Sequence, residues 1–270
     1  MAGLTDFRDR VAVVTGASSG IGAQLARDLA ARGAHVALLA RRVDRLEALA
    51  GEIGRGGITA LPVACDVSDR ASVDAAIATV VGRLGRVDLL VNNAGFVTHA
   101  LFKDHDVADM ERMVRTNVLG VMYTIKAVLP AMRARREGWI VNLSSVAGKL
   151  GQPDEAVYSA TKFAVTGLSE GISYELAPLG IHVMTVYPAL VRTEMFTDEV
   201  LARMPERAKK TFCEPPEFTR AVLRALEKGA FEVTVPRYVN LAYVIRTLFP
   251  SLHRRITAGL RLPVLPDLTT

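Results

Sequence analysis

Residues 10–22 read RVAVVTGASSGIG, a strand-length β-branched run that breaks into a glycine-rich turn and reopens on helical spacing. The placement matters more than the glycines themselves. Gly16, Gly20 and Gly22 are spaced G-x-x-x-G-x-G, so main chain without side chains stands where a helix begins. Unpaired N–H groups and the positive end of the helix dipole meet an anion there. A strand, turn and helix in this order bring backbone against a pyrophosphate, which sets the expectation of a dinucleotide site. Ser18, Ser19 and Ile21 lie among those glycines and are grouped with them as cofactor-contacting residues.

The rest of the chain repeats the same alternation. Strand-length apolar runs recur in HVALLA, ITALPVAC, VDLLVNNAG, GWIVNLSS, IHVMTVYP and FEVTVP. Between them, helical apolar spacing is expected at 21–31, 43–53, 73–81, 117–134 and 158–177. Near-continuous apolar strands separated by helices describe a parallel sheet covered on both faces, a doubly wound α/β architecture. Gly33 and Gly180 fall near helix C-caps, with Pro178 close to a helix end. No linker divides the chain, so a single domain is expected. At 270 residues, 50% hydrophobic and 23% charged, it can bury a large core.

Composition also excludes. No charge-free apolar window of eighteen residues occurs and MAGLTDFRDR lacks a signal-peptide core, so the expectation is a cytoplasmic protein. Cys65 and Cys213 belong to no CxxC or Cys/His cluster; they read as buried thiols, and no metal is expected. The net charge of +5 is scattered among acids, which argues against nucleic acid as a partner and leaves enough cations for an anionic cofactor.

The second strand ends Leu39, Ala40, Arg41, Arg42. No acid stands there for a free ribose 2′-hydroxyl, whereas guanidinium groups suit a 2′-phosphate, so NADP(H) is expected over NAD(H). Further on, Tyr158 and Lys162 are four residues apart and share a helix face. A phenol with an ordinary pKa of about 10 needs a nearby cation to exchange protons near neutrality, and Lys162 is placed to supply one.

With TGASSGIG, Asp66, NNAG at 92–95, Asn117, Ser145, Tyr158 and Lys162 in order, the chain resembles the short-chain dehydrogenase/reductase family over about residues 8–193. The resemblance implies a Rossmann-type domain in which Asp66 and Val67 sit by the adenine. It implies that Asn93, Ala94 and Gly95 line the cofactor channel and that residues 92–95 help hold the central sheet. Asn117, Ser145, Tyr158 and Lys162 are the implied catalytic residues. Ser145 is chosen over Ser144 because the family's serine lies thirteen residues before its tyrosine. The implied reaction joins hydride from the nicotinamide to a proton from Tyr158, or runs in reverse. Lys162 would bind the nicotinamide ribose and, with the positive charge of the oxidised ring, depress the phenol pKa; Ser145 would bond the substrate oxygen, and Asn117 would hold a water linking Lys162 to solvent. Pro188, Val191 and Thr193 match positions covering the nicotinamide amide, although Ala189 stands where many members have glycine. Many members assemble through the helices bearing Asn117 and Tyr158, so a homodimer or homotetramer is implied.

Residues 194–214 are expected to form a substrate lid. Leu190, Met195, Phe196, Leu201, Met204 and Phe212 make this region apolar and lean toward a hydrophobic ketone or aldehyde as the small-molecule substrate. An NADP-linked alcohol or hydroxysteroid-type dehydrogenase is the alternative, and a non-catalytic NADPH-binding regulator would predict a damaged tetrad. From 236 to 270 a C-terminal helical extension is expected. Leu241, Val244, Ile245 and Leu248 share one face beside Arg237, Arg246, Arg254, Arg255 and Arg261, with Pro250 as a break. Packing over the substrate cleft or at a subunit interface is expected, and peripheral membrane contact is the rival.

Overall fold

The computed structural model describes residues 3–54, 57–196, 198–204 and 206–259. Strands β1 (Val11–Thr15), β2 (His35–Ala40), β3 (Ala60–Ala64), β4 (Leu89–Asn92), β5 (Gly138–Leu143), β6 (Ile181–Pro188) and β7 (Glu232–Val235) form one sheet. It is parallel throughout, in the order β3-β2-β1-β4-β5-β6-β7. The chain winds outward from β1 to β3 and then crosses back to β4. That reversal opens a crevice beyond the carboxyl ends of β1 and β4, where ligands bind in such sheets.

Alternation along each strand feeds two cores. Ala12 and Val14 of β1 face one, Val11 and Val13 the other. The first core is closed by α1 (Gly20–Ala30) through Leu25 and Leu29, and by α2 (Val43–Ile53) through Leu46 and Leu49. The second takes Val73, Ile77 and Val80 of α3 (Arg70–Leu84), whose N-cap Asp69 accepts a hydrogen bond from Ala71 N. The helix expected at 117–134 begins earlier and is interrupted: α4 (Val107–Val114) passes through a π turn at Arg115–Leu119 into α5 (Gly120–Arg135). After β5 comes α6 (Ala156–Leu176), and the lid region holds the short helices α7 (Asp198–Arg203) and α8 (Glu206–Lys209). Helix α9 (Pro215–Glu227) was not expected, yet Phe218, Val222 and Leu226 recur on one face and complete the first core.

A buried polar ladder ties the sheet to the helices that carry the site. Asn92 Nδ2 donates to Asn142 Oδ1 at 2.8 Å, Thr124 Oγ1 to Asn92 Oδ1 at 2.6 Å, and Asn142 Nδ2 to Ser169 Oγ at 2.9 Å. Leaving one such buried group unpaired costs about 1–3 kcal/mol, so the ladder fixes β4, β5, α5 and α6 in one register.

The extension is built of two helices. It folds as α10 (Asn240–Leu248) and α11 (Pro250–Gly259), and Pro250 opens the second helix, a position proline suits. Helix α10 docks through Tyr243, edge-on to Tyr187 at 6.5 Å, and through Arg246, which donates to Lys149 O at 2.6 Å and lies over the Phe163 ring. Leu241, Val244 and Leu248 therefore point outward, with Leu248 65% exposed. Among the described residues no side chain of α10 lines the cleft, so the stripe does not cover it; packing at a subunit interface is the other expected role of this exposed face. Arg261 and the rest of 260–270 lie outside the described residues. Among the described residues no helix is long and apolar enough to cross a membrane.

Candidate functional site

The glycine turn follows β1 and meets the segment after β4. Gly16 has φ +65°, and a Cβ there would stand 2.9 Å from Ala94 Cα; one on Gly22 would fall 2.4 Å from Gly16 O. Thr15 Oγ1 accepts from Asn93 N and Ala94 N, each at 3.0 Å. Asn93 Nδ2 donates to Thr15 O at 2.9 Å and Gly16 O at 3.2 Å, so its side chain clamps the turn. The outcome is a tightly packed backbone cradle at the start of α1, in which the glycines let the turn, the segment after β4 and Thr193 approach closely.

Arg42 is drawn onto that turn, donating from Nη2 to Ser18 Oγ at 2.9 Å and Ser19 Oγ at 2.8 Å. Its Nη1 also reaches Glu194, which Arg45 holds at 2.7 Å. Arg41 is exposed and lines the same cavity. Asp66 accepts from Ser68 N and Oγ; burial opposes its ionisation, but those bonds and the Arg41 charge hold it below the usual carboxylate range.

Two cavities meet beyond this turn. One, of about 730 Å³, is lined by Gly16, Ser18, Arg41, Arg42, Asp66 and Val67 among others. The second, of about 370 Å³, is lined by Ser145, Tyr158, Lys162, Pro188 and Val191 together with lid residues. Ile21, Asn93, Gly95 and Thr193 belong to both, so the cavities join. Of the expected lid residues, Leu190, Met195, Phe196 and Met204 line the second cavity. Phe212 instead backs Phe196 edge-on at 4.8 Å, and Leu201 is not part of the lining.

Ser144 and Ser145 diverge at the end of β5. Ser144 Oγ is buried and donates to Lys162 O at 2.9 Å. Ser145 lines the cavity beside Tyr158 and accepts from Ala147 N at 3.1 Å. Lys162 Nζ donates to Leu143 O at 2.9 Å and lies 5.6 Å from the Tyr158 ring centroid. Burial pushes Lys162 down to about 8. Burial also pushes Tyr158 well above the ordinary phenol range, Glu155 adds to this, and the nearby Ser145 hydroxyl only partly opposes it. In the protein alone desolvation dominates the phenol, and the expected depression draws on the oxidised ring's charge as well as on Lys162.

Asn117 sits in the π turn, buried, with three of its four hydrogen-bonding valences used. Oδ1 accepts from Phe96 N at 3.1 Å, and Nδ2 donates to Phe96 O at 2.9 Å and Thr161 Oγ1 at 3.1 Å. One Oδ1 lone pair is left for the expected water, and the side chain is first a clamp on the loop after β4. Ala189 has negative φ and donates to Val235 O at 3.0 Å, so glycine is not required there. His99, Asp154 and Glu155 also line the second cavity and were not read from the sequence. Their contacts join the loop after β4 to the start of α6, and no spacing rule reports such a meeting.

The sequence matches the family model for short chain dehydrogenase over residues 10–203. It is 38% identical over 238 residues to an uncharacterized oxidoreductase of Staphylococcus haemolyticus, covering 88% of this chain and 96% of that protein. Among solved structures, a short-chain dehydrogenase/reductase from Burkholderia phymatum in complex with NAD superposes with TM-score 0.84 at 26% identity, covering 98% of this chain and 99% of that one. A short-chain type dehydrogenase/reductase from Mycobacterium marinum gives TM-score 0.76 at 32% identity over 86% of this chain and 95% of that one. Sequence, fold and the strand-turn-helix cradle agree, and the chain belongs to the short-chain dehydrogenase family of NAD(P)-linked oxidoreductases.

Proposed function

We propose that the protein is an NADP(H)-dependent oxidoreductase that interconverts an apolar ketone or aldehyde and its alcohol, with reduction favoured. The observation that carries this reading is the junction of the two cavities, with Tyr158, Lys162 and Ser145 on the wall of the smaller one. Gly16, Gly20 and Gly22 let the turn pack tightly so that its backbone and the start of α1 face a pyrophosphate, and Asp66 and Val67 flank the adenine end. Arg41, exposed on the wall of the larger cavity, and Arg42 beside it take a 2′-phosphate, Arg42 exchanging its contact with Glu194 for it while Arg45 keeps that carboxylate. Asn93, Ala94 and Gly95 line the channel, while Pro188, Val191 and Thr193 close the nicotinamide end. When bound, the dinucleotide supplies the hydride. Tyr158, kept protonated by burial, gives its proton to the carbonyl oxygen, and Ser145 holds that oxygen in place. Lys162 bonds the cofactor ribose and stabilises the phenolate left behind, and Asn117 fixes the loop that faces it. Homo-oligomer formation through α4 and α6 belongs to the same reading, supported by Val107 (64% exposed) and Tyr174 (70%) on those helices.

The test is titration of NADPH and NADH by quenching of protein fluorescence, followed by NADPH oxidation against a panel of apolar ketones and aldehydes. Tighter NADPH binding and turnover of at least one apolar carbonyl are expected. Equal affinity for the two dinucleotides removes the cofactor assignment, and no turnover of any carbonyl with either removes the reaction.

A further inference from the structure

The smaller cavity is not uniformly apolar. His99 is among its lining residues, and its Nδ1 lies 3.6 Å from Asp154 Oδ2 and 3.4 Å from Glu155 Oε1. Asp154 is only 8% exposed, and both its Oδ2 and His99 Nδ1 are buried without a hydrogen-bond partner. The imidazole's other nitrogen, Nε2, makes no hydrogen bond among the described residues, and the His99 side chain lines the same cavity as Tyr158. Two carboxylates flanking Nδ1 favour the doubly protonated ring, which makes Nε2–H a donor. Consistent with that, Asp154 and the charge of Glu155 outweigh burial and raise the His99 pKa, while burial lifts Glu155 to about 7. Asp154 holds this position at φ +57°, a conformation that aspartate and asparagine tolerate better than most residues.

We propose, resting on the carbonyl-reductase reading above, that His99 donates through Nε2 to a second, uncharged oxygen of the substrate. The preferred class is then an apolar carbonyl compound bearing a further carbonyl or hydroxyl oxygen. Asp154 and Glu155 are positioning residues for the ring. An anionic group is disfavoured by the Asp154 carboxylate behind the imidazole, and a purely apolar end leaves a buried donor unsatisfied. A neutral oxygen meets both conditions.

The experiment compares straight-chain monoketones with diketones of equal length whose carbonyls are separated by one to four methylenes. NADPH oxidation is followed for the wild type, His99→Leu, His99→Gln and Asp154→Asn. In the wild type at least one diketone is expected to exceed its monoketone by about tenfold or more in kcat/KM, the range of a hydrogen bond to a charged group. His99→Leu should bring that ratio close to one, and His99→Gln, which keeps a donor, should restore part of it. Asp154→Asn should raise KM for the favoured diketone more than it lowers kcat. Either histidine variant that binds NADPH like the wild type is sufficient to decide. Equal use of mono- and diketones by the wild type, or a preference that survives both histidine variants, overturns the inference while leaving carbonyl reduction intact. Failure to reduce any ketone in the series instead removes the underlying reading.

Discussion

Lys162 is a buried cation maintained at the expense of stability, and replacing it with methionine should stabilise the protein in the absence of cofactor. Burial takes the ammonium from its ordinary 10.5 to about 8, a difference equivalent to about 3 kcal/mol of unfavourable charge burial at pH 7. Lys162→Met keeps length and apolar volume but gives up the 2.9 Å bond to Leu143 O, a loss of about 1 kcal/mol. The net gain is about 2 kcal/mol, or a Tm higher by about 4 °C for a chain of this size. Its pH dependence follows from a basic group whose folded pKa is depressed. Below pH 8 both states hold the proton and the wild type carries the whole cost. Between about 8 and 10.5 the native state releases the proton while the unfolded chain retains it, so the wild type gains stability as pH rises. The advantage of Lys162→Met is therefore full at pH 7 and nearly gone at pH 10. Thermal melts of both proteins without cofactor, at pH 7, 8.5 and 10, measure this directly. A Tm at pH 7 equal to or below that of the wild type, or an advantage constant across the series, would refute the reasoning.

Tyr158→Phe removes a transferable proton and little volume, so folding and NADPH affinity should stay near normal while turnover falls on the order of a hundredfold or more; steady-state kinetics beside a cofactor titration will separate the two. Arg41→Ala should weaken NADPH binding by about 1.5–3 kcal/mol and leave NADH binding almost unchanged, read by titrating both dinucleotides. Because Leu241 and Leu248 are exposed on α10, their joint replacement by serine should change stability by no more than about 0.5 kcal/mol per site, whereas Tyr243→Ala, at the docked edge, should lower Tm measurably.

The strand-turn-helix reading of residues 10–22 and the alternation of apolar runs were sufficient for a doubly wound parallel sheet, because main-chain sterics and burial on both faces act within a few residues of sequence. The helices at 43–53 and 158–177 were legible for the same reason. The divergence of Ser144 and Ser145 also follows from a local rule, the two-residue period of a strand. The π turn in front of α5 was not legible, since it is set by Asn117 clamping Phe96 and Thr161, contacts that span 21 and 44 residues of sequence. Tertiary structure alone brought His99 beside Asp154 and Glu155 and turned the apolar stripe of α10 outward. It likewise made burial, and not the nearby cation, the dominant influence on Tyr158. A sequence specifies which groups can hydrogen-bond, ionise or pack; how far each is removed from water, and which distant partner it meets, is decided when the chain closes on itself.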